Sequence, residues 1–183
     1  MNKTLRNIAE RYSCRDFTGE PPTDGEIEAI VSAALAAPSA INLQPWHIVV
    51  VRDKAIVDEL DSEGLSILAA AEDKSSYERI SSRGRKMLYN APCIMIILSD
   101  GSKWATLDSG ILCQTIVLAA QSLGLATCIV GMAGVPLYGP KRAQFAKRLR
   151  FPEGYEFSIG VLIGTANSGK QPHELDAGKV TYV

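Results

Sequence analysis

Between Lys103 and Gly124 the chain offers almost no polar face. Ile111, Leu112, Thr115, Ile116, Val117, Leu118, Ala119, Ala120 and Leu123 fall on all sides of the helix that residues 103–123 predict, with Gly124 as its C-cap. A helix apolar nearly all round must be covered on every side, by a large core or by a second chain. The chain has 183 residues, enough for one sizeable core, so cover by a second subunit is a serious option.

Apolar residues make up 46% and charged residues 21%, the balance of an ordinary globular protein. Lys plus Arg is 19 against 20 acidic residues, a net charge of −1. That balance gives no global field to draw nucleic acid or an anionic membrane, so neither is expected as a partner. The longest apolar runs, CIMIIL at 93–98 and GVLIG at 160–164, are strand-length and too short to span a bilayer. The N-terminal MNKTLRNIAERYS carries no signal-peptide core, and the expected location is the cytoplasm.

Cys14, Cys93, Cys113 and Cys128 are scattered, no CxxC pair occurs, and the histidines are His47 and His173, so metal-ligand spacing is absent. Reduced thiols packed as small hydrophobes are expected. Cys14 is the exception to watch, since Arg15 follows it and Arg11 lies near, and cations favour a thiolate.

Helices are predicted over 3–12 and 24–37, the second opened by a Thr23/Glu26 capping box and stopped by Pro38. HIVVVRD at 47–53, CIMIILSD from 93, ATCIV at 126–130 and FSIGVLIGTA at 157–166 read as strands. Residues 54–90 look helical in pieces, GMAGVPLYGP a loop, and 140–150 a basic amphipathic helix. The uneven alternation predicts an α+β fold, a mixed sheet of about four or five strands flanked by helices, in one domain over 1–183. The polar tail, 167–183, must fray or dock.

Three segments could carry chemistry. In RYSCR at 11–15, Arg11, Ser13 and Arg15 suit a phosphate, since guanidinium forks pair with its oxygens; cations that merely complement a helix dipole are the plainer reading. In PSAINLQPW at 38–46, Ser39, Asn42 and Gln44 could read a flat polar ligand, or Ser39 and Asn42 could simply bond the turn with Trp46 in the core. Gly131, after ATCIV, lets a ligand approach backbone N–H groups, or is an ordinary strand-end glycine. There is no GxGxxG, GxxxxGK[ST] or GxSxG motif, and no Cys–His or Ser–His pairing. A bound cofactor that does its own chemistry fits better than side-chain catalysis.

RYSCRDF at 11–17, the capped helix leading into PSAINLQPW, LDSGILCQTIVLAAQSLGLATC at 107–128 and FSIGVLIGTA together resemble the nitroreductase family of FMN flavoproteins, in order and spacing across the chain. The resemblance implies an intertwined α+β homodimer with FMN at the subunit interface and the tail docked on the partner. It implies that NADH or NADPH reduces the FMN, which then reduces an electron-poor small molecule such as a nitroaromatic or quinone, by ping-pong. It also implies that Arg11, Tyr12, Ser13 and Arg15 hold the phosphate and the polar edge of the flavin, joined by Lys170. Pro38, Ser39, Ala40, Ile41, Asn42 and Gln44 would approach from the partner, and Val130, Gly131 and Met132 would lie along the other side of the ring. A flavin-binding or sensing protein with little turnover, and a cofactor-free interaction dimer, are the alternatives. The family pattern is broken at IGTAN, at Lys170 where Arg is frequent, and over 60–90.

Overall fold

A computed structural model describes residues 1–84 and 86–183; of the stretch 54–90, read as helical in pieces, Arg85 lies outside the described residues. Helix α1 (Lys3–Glu10) is capped by Asn2, whose side chain accepts from the Leu5 N–H at 2.9 Å. Helix α2 (Asp24–Leu35) opens on the expected capping box, with the Thr23 hydroxyl accepting from the Glu26 N–H and the Glu26 carboxylate accepting from the Thr23 N–H at 2.7 Å. Strand β1 (Trp46–Val51) follows, then helices α3 (Lys54–Ala70) and α4 (Ser75–Ser81). After these come β2 (Cys93–Ser99), α5 (Ala105–Ser122), β3 (Ala126–Val130), α6 (Gly134–Tyr138), α7 (Arg142–Arg148) and β4 (Glu156–Gly164).

The four strands lie in the order β1-β2-β4-β3, and every neighbouring pair is antiparallel. The α+β class and the strand count agree with the sequence; the mixed sheet does not. Strands β2 and β3 do run the same way, with α5 as the crossover between them, but β4 is inserted between the two and pairs antiparallel with each. Among the described residues, parallel pairing is confined to one isolated bridge, Ser13 with Thr127, on the outer edge of β3.

Strand β2 sits at the centre, and its alternation divides the core in two. Cys93, Met95 and Ile97 face a cluster with Ile30, Trp46, Leu112, Ile116, Val117 and Val161 under α2 and α5. Ile94, Ile96 and Leu98 face Val57, Leu60, Met87, Phe145 and Phe157 under α3, α6 and α7. Helices therefore cover both faces of the sheet.

Helix α5 ends as its sequence asks. Gly124 has φ +80°, its N–H donates to the Gln121 carbonyl, and the Leu125 N–H donates to Ala120, which is a Schellman close. Its inner side, from Leu112 to Ala120, is buried. Its outer side is not: Leu107 is 59% exposed, and Gly110, Ile111, Gln114, Thr115, Leu118 and Ala119 line an apolar groove of about 750 Å³ with Thr4 and Asn7 of α1. One core thus covers half of the all-apolar helix. No helix among the described residues is long and apolar enough to cross a membrane.

Candidate functional site

Residues 11–18 run as an extended ribbon stitched between the free edge of β3 and the stretch after β4. The Cys14 N–H donates to the Thr127 carbonyl at 2.8 Å, Phe17 bridges Ala166, and the Thr18 N–H donates to Thr165 at 3.0 Å. Extended backbone alternates its side chains. Cys14 points into the core and is fully buried, while Arg15 is turned out to solvent. The ribbon thereby fixes the guanidinium of Arg15 beside the C-terminal end of β3.

Two clefts meet there. The first, about 350 Å³, is lined by Arg15, Arg79, Arg83, Tyr89 and the strand end Val130, Gly131 and Met132, among others. The second, about 360 Å³, is lined by Tyr12, Ser13, Arg15, Asp16, Arg83, Ser168 and Lys170. Arg15 and Arg83 line both, so the clefts adjoin. A Cβ added at Gly131 would meet nothing nearer than Ile159 Cδ1 at 3.8 Å, so packing within the chain does not require glycine there. Its missing side chain leaves the strand-end backbone reachable from the cleft. Guanidinium, ammonium and hydroxyl groups gathered around one cavity suit a phosphate, and the bare backbone beside them suits a flat ring; these residues fit FMN.

Lys170 reaches the cleft because the chain after β4 is tied down. The Asp16 carboxylate accepts from Asn167 Nδ2 at 3.2 Å and from Ser168 Oγ at 2.9 Å, the Asn167 N–H donates to the Asp16 carbonyl, and Tyr12 Oη donates to the Ser168 carbonyl. Beyond Lys170 the tail is exposed, Tyr182 by 93%. Burial, with the nearby Cys14 second, pushes the Tyr12 hydroxyl up in pKa. Cys14 is also pushed up, chiefly by burial, so the neighbouring arginines do not make it a thiolate. All four cysteines are free and buried, with Cys93 and Cys113 pushed up to about 12 by loss of solvent.

Arg11, at the C-cap of α1, is half-buried and does not line either cleft. Nor do Pro38, Ser39, Ala40, Ile41, Asn42 and Gln44. Their loop enters β1 at the end of the sheet where β3 exits, but on the opposite edge. Three strand spacings separate the edges, about 14 Å. The loop is internally organised: Ser39 Oγ accepts from the Gln44 N–H at 2.9 Å, and Gln44 Nε2 donates to Asn42 Oδ1 at 3.1 Å. The Ala40 N–H donates to the fully buried carboxylate of Asp108 on α5 at 3.2 Å. Ile41, Asn42 and Gln44 have φ of +46°, +57° and +49°.

The model of the Nitroreductase family matches residues 8–165. This chain belongs to the nitroreductase family. A nitroreductase of Desulfitobacterium hafniense with bound FMN is 49% identical and superposes with a TM-score of 0.96, covering 100% of this chain and 99% of that one. A second FMN-bound nitroreductase, from Bacteroides fragilis, is 26% identical with a TM-score of 0.90, covering 100% of both chains. The NADPH-flavin oxidoreductase of Vibrio harveyi is 30% identical over 166 residues, which are 90% of this chain and 66% of that longer one. The clefts and the loop of this nitroreductase-family chain also involve residues that sequence reasoning missed. Asp16 offered a signal, an acid inside a basic motif; Asp108, Arg79 and Arg83 sit in helical stretches whose patterns gave none.

Proposed function

We propose that the protein is an FMN-dependent oxidoreductase that takes reducing equivalents from NADH or NADPH and passes them to an electron-poor acceptor in a ping-pong cycle. Each site is built by two copies of the chain. The observation that carries this reading is the meeting of Arg15 with Val130–Met132 in one cleft and with Ser13 and Lys170 in the next. It is supported by a fold shared along its whole length with an FMN-bound relative.

Bound FMN supplies the hydride-accepting and hydride-donating chemistry; the chain supplies position and electrostatics. Tyr12, Ser13, Arg15 and Lys170 would hold the phosphate and the polar edge of the cofactor, with Arg11 outside the cleft. Arg15 also favours the reduced state, because a fixed cation stabilises negative charge that develops beside it. Gly131 admits the ring close to the backbone between Val130 and Met132. Pro38 to Asn42, with Gln44, come from the partner. Support for that lies in their place on the far edge of the sheet and in the uncovered side of α5, an apolar groove fit for a second copy. The exposed tail would then dock on the partner as well.

The test is anaerobic titration of the purified protein with NADH and with NADPH. The yellow cofactor is expected to bleach and to recover on adding a nitroaromatic or a quinone. Bound flavin that neither nucleotide bleaches would point to a binding or sensing protein instead. A colourless protein that takes up no FMN would remove the reading altogether.

A further inference from the structure

The cleft beside Val130–Met132 carries arginines beyond the Arg15 that holding FMN uses. Arg15, Arg79 and Arg83 all line it, and no carboxylate does. The whole chain is nearly neutral, at −1, so three arginines without an acid in one cavity are a local feature. Arg79 lies on α4 and Arg83 in the turn that follows it, and both line the cleft. Ile80, between them in sequence, is buried and packs α4 onto the core while also lining the cleft. Both guanidinium groups are exposed, and among the described residues neither forms an ion pair, although Glu78 is adjacent on the same helix. Elsewhere, Arg52, Arg142 and Arg148 each pair with a carboxylate.

We propose that Arg79, assisted by Arg83, is a specificity-determining residue that recognises a carboxylate on the electron acceptor, so that the enzyme favours acidic aromatic acceptors over neutral ones. This rests on the reading of the cleft as the reducing site. A planar guanidinium pairs with a carboxylate through two parallel hydrogen bonds. Arg83 borders both the phosphate's cleft and the ring's; Arg79 borders only the ring's, where an acceptor must stack to be reduced.

The experiment compares 4-nitrobenzoate with 4-nitrobenzamide, a neutral near-isostere, as acceptors for the holoenzyme and its Arg79→Gln and Arg79→Lys variants. The parent enzyme should favour the acid in kcat/KM about tenfold, the scale of one charge-assisted hydrogen bond. That preference should shrink with added salt. Arg79→Gln should bring it to near parity by lowering the acid's value alone, and Arg79→Lys should restore part of it. Unreactive benzoate, followed through the visible spectrum of bound flavin, should bind more weakly to Arg79→Gln while benzamide is unchanged.

No acid preference in the parent, or one that survives Arg79→Gln, overturns the proposal. So does a variant in which the acid preference persists while an NADPH-over-NADH preference is lost, which would assign the arginine to the nucleotide's 2′-phosphate. Flavin content and anaerobic bleaching are read in the same preparations. Normal flavin behaviour without acid preference sinks the proposal alone; absence of flavin sinks the oxidoreductase reading and the proposal together.

Discussion

Ile41 holds a left-handed backbone that a β-branched residue rarely adopts, and its side chain is 89% exposed. Asn42 and Gln44 are left-handed too. Such residues cost about 1–3 kcal/mol each and persist only where surrounding structure over-determines them. Here the determinants are the Ser39 hydroxyl, which closes the turn on Gln44, and Asp108, which takes the Ala40 N–H from below. Asp108→Asn should lower stability by about 1–3 kcal/mol, because a buried charge-assisted bond becomes a neutral one. Thermal melts would show it, and flavin retention should fall with it. The turn-bonding role of Ser39 and Asn42 could be read in the sequence from their short polar side chains, but not that Gln44 is the partner of both. Asp108 could not, since its partner is 68 residues away.

Asp61 is a second buried acid. It accepts from the Leu88 N–H, yet burial outweighs that bond and raises its carboxyl pKa above the ordinary 3.8. A raised acid favours folding while protonated, so its contribution is fullest below that value and is lost as pH rises through the folded pKa. Asp61→Asn, which can still accept from Leu88, should therefore gain stability relative to the parent between acid and neutral pH. Denaturant melts at both ends would check this, and a constant difference would refute it.

The helices and strands were largely visible as periodicities. The capping box before α2, the glycine close of α5 and the span of β3 stand where the sequence puts them. Helix α6 was not visible, because Gly134 and Pro136 read as loop. Its proline falls in the first turn, where no intrahelical N–H is needed, so a five-residue helix tolerates it. The antiparallel sheet was hidden for another reason: the β2–α5–β3 crossover reads as a parallel unit, and nothing local announces that β4 returns between its strands. At the end of β4, a Cβ on Gly164 would meet Pro92 Cδ at 2.7 Å and Phe17 Cδ1 at 3.2 Å. A proline ring cannot rotate away, so Gly164→Ala should cost about 1–3 kcal/mol through overpacking. A fall in the denaturation midpoint without a change in slope would show it.

The assembled molecule explains why the site was only half readable. The arginine ribbon, the end of β3 and Lys170 converge within one chain, although they lie far apart in sequence, because the ribbon bonds to Thr127 and Asp16 holds the segment leading to Lys170. The loop at 38–44 stays on the opposite edge, and half of α5 stays uncovered. The proposed second copy would resolve both, and the exposed tail would give it a further hold. Subunit mixing tests this most directly. Chains carrying Arg15→Ala and chains carrying Asn42→Ala are purified separately, each expected to retain FMN poorly, then mixed or co-expressed with different tags and isolated as heterodimers. If one subunit gives Arg15 and the other gives Asn42, each heterodimer holds one site with both defects and one with neither. FMN retention should return to about half of the sites. Heterodimers that retain no more flavin than either parent variant would show that the site lies within one chain.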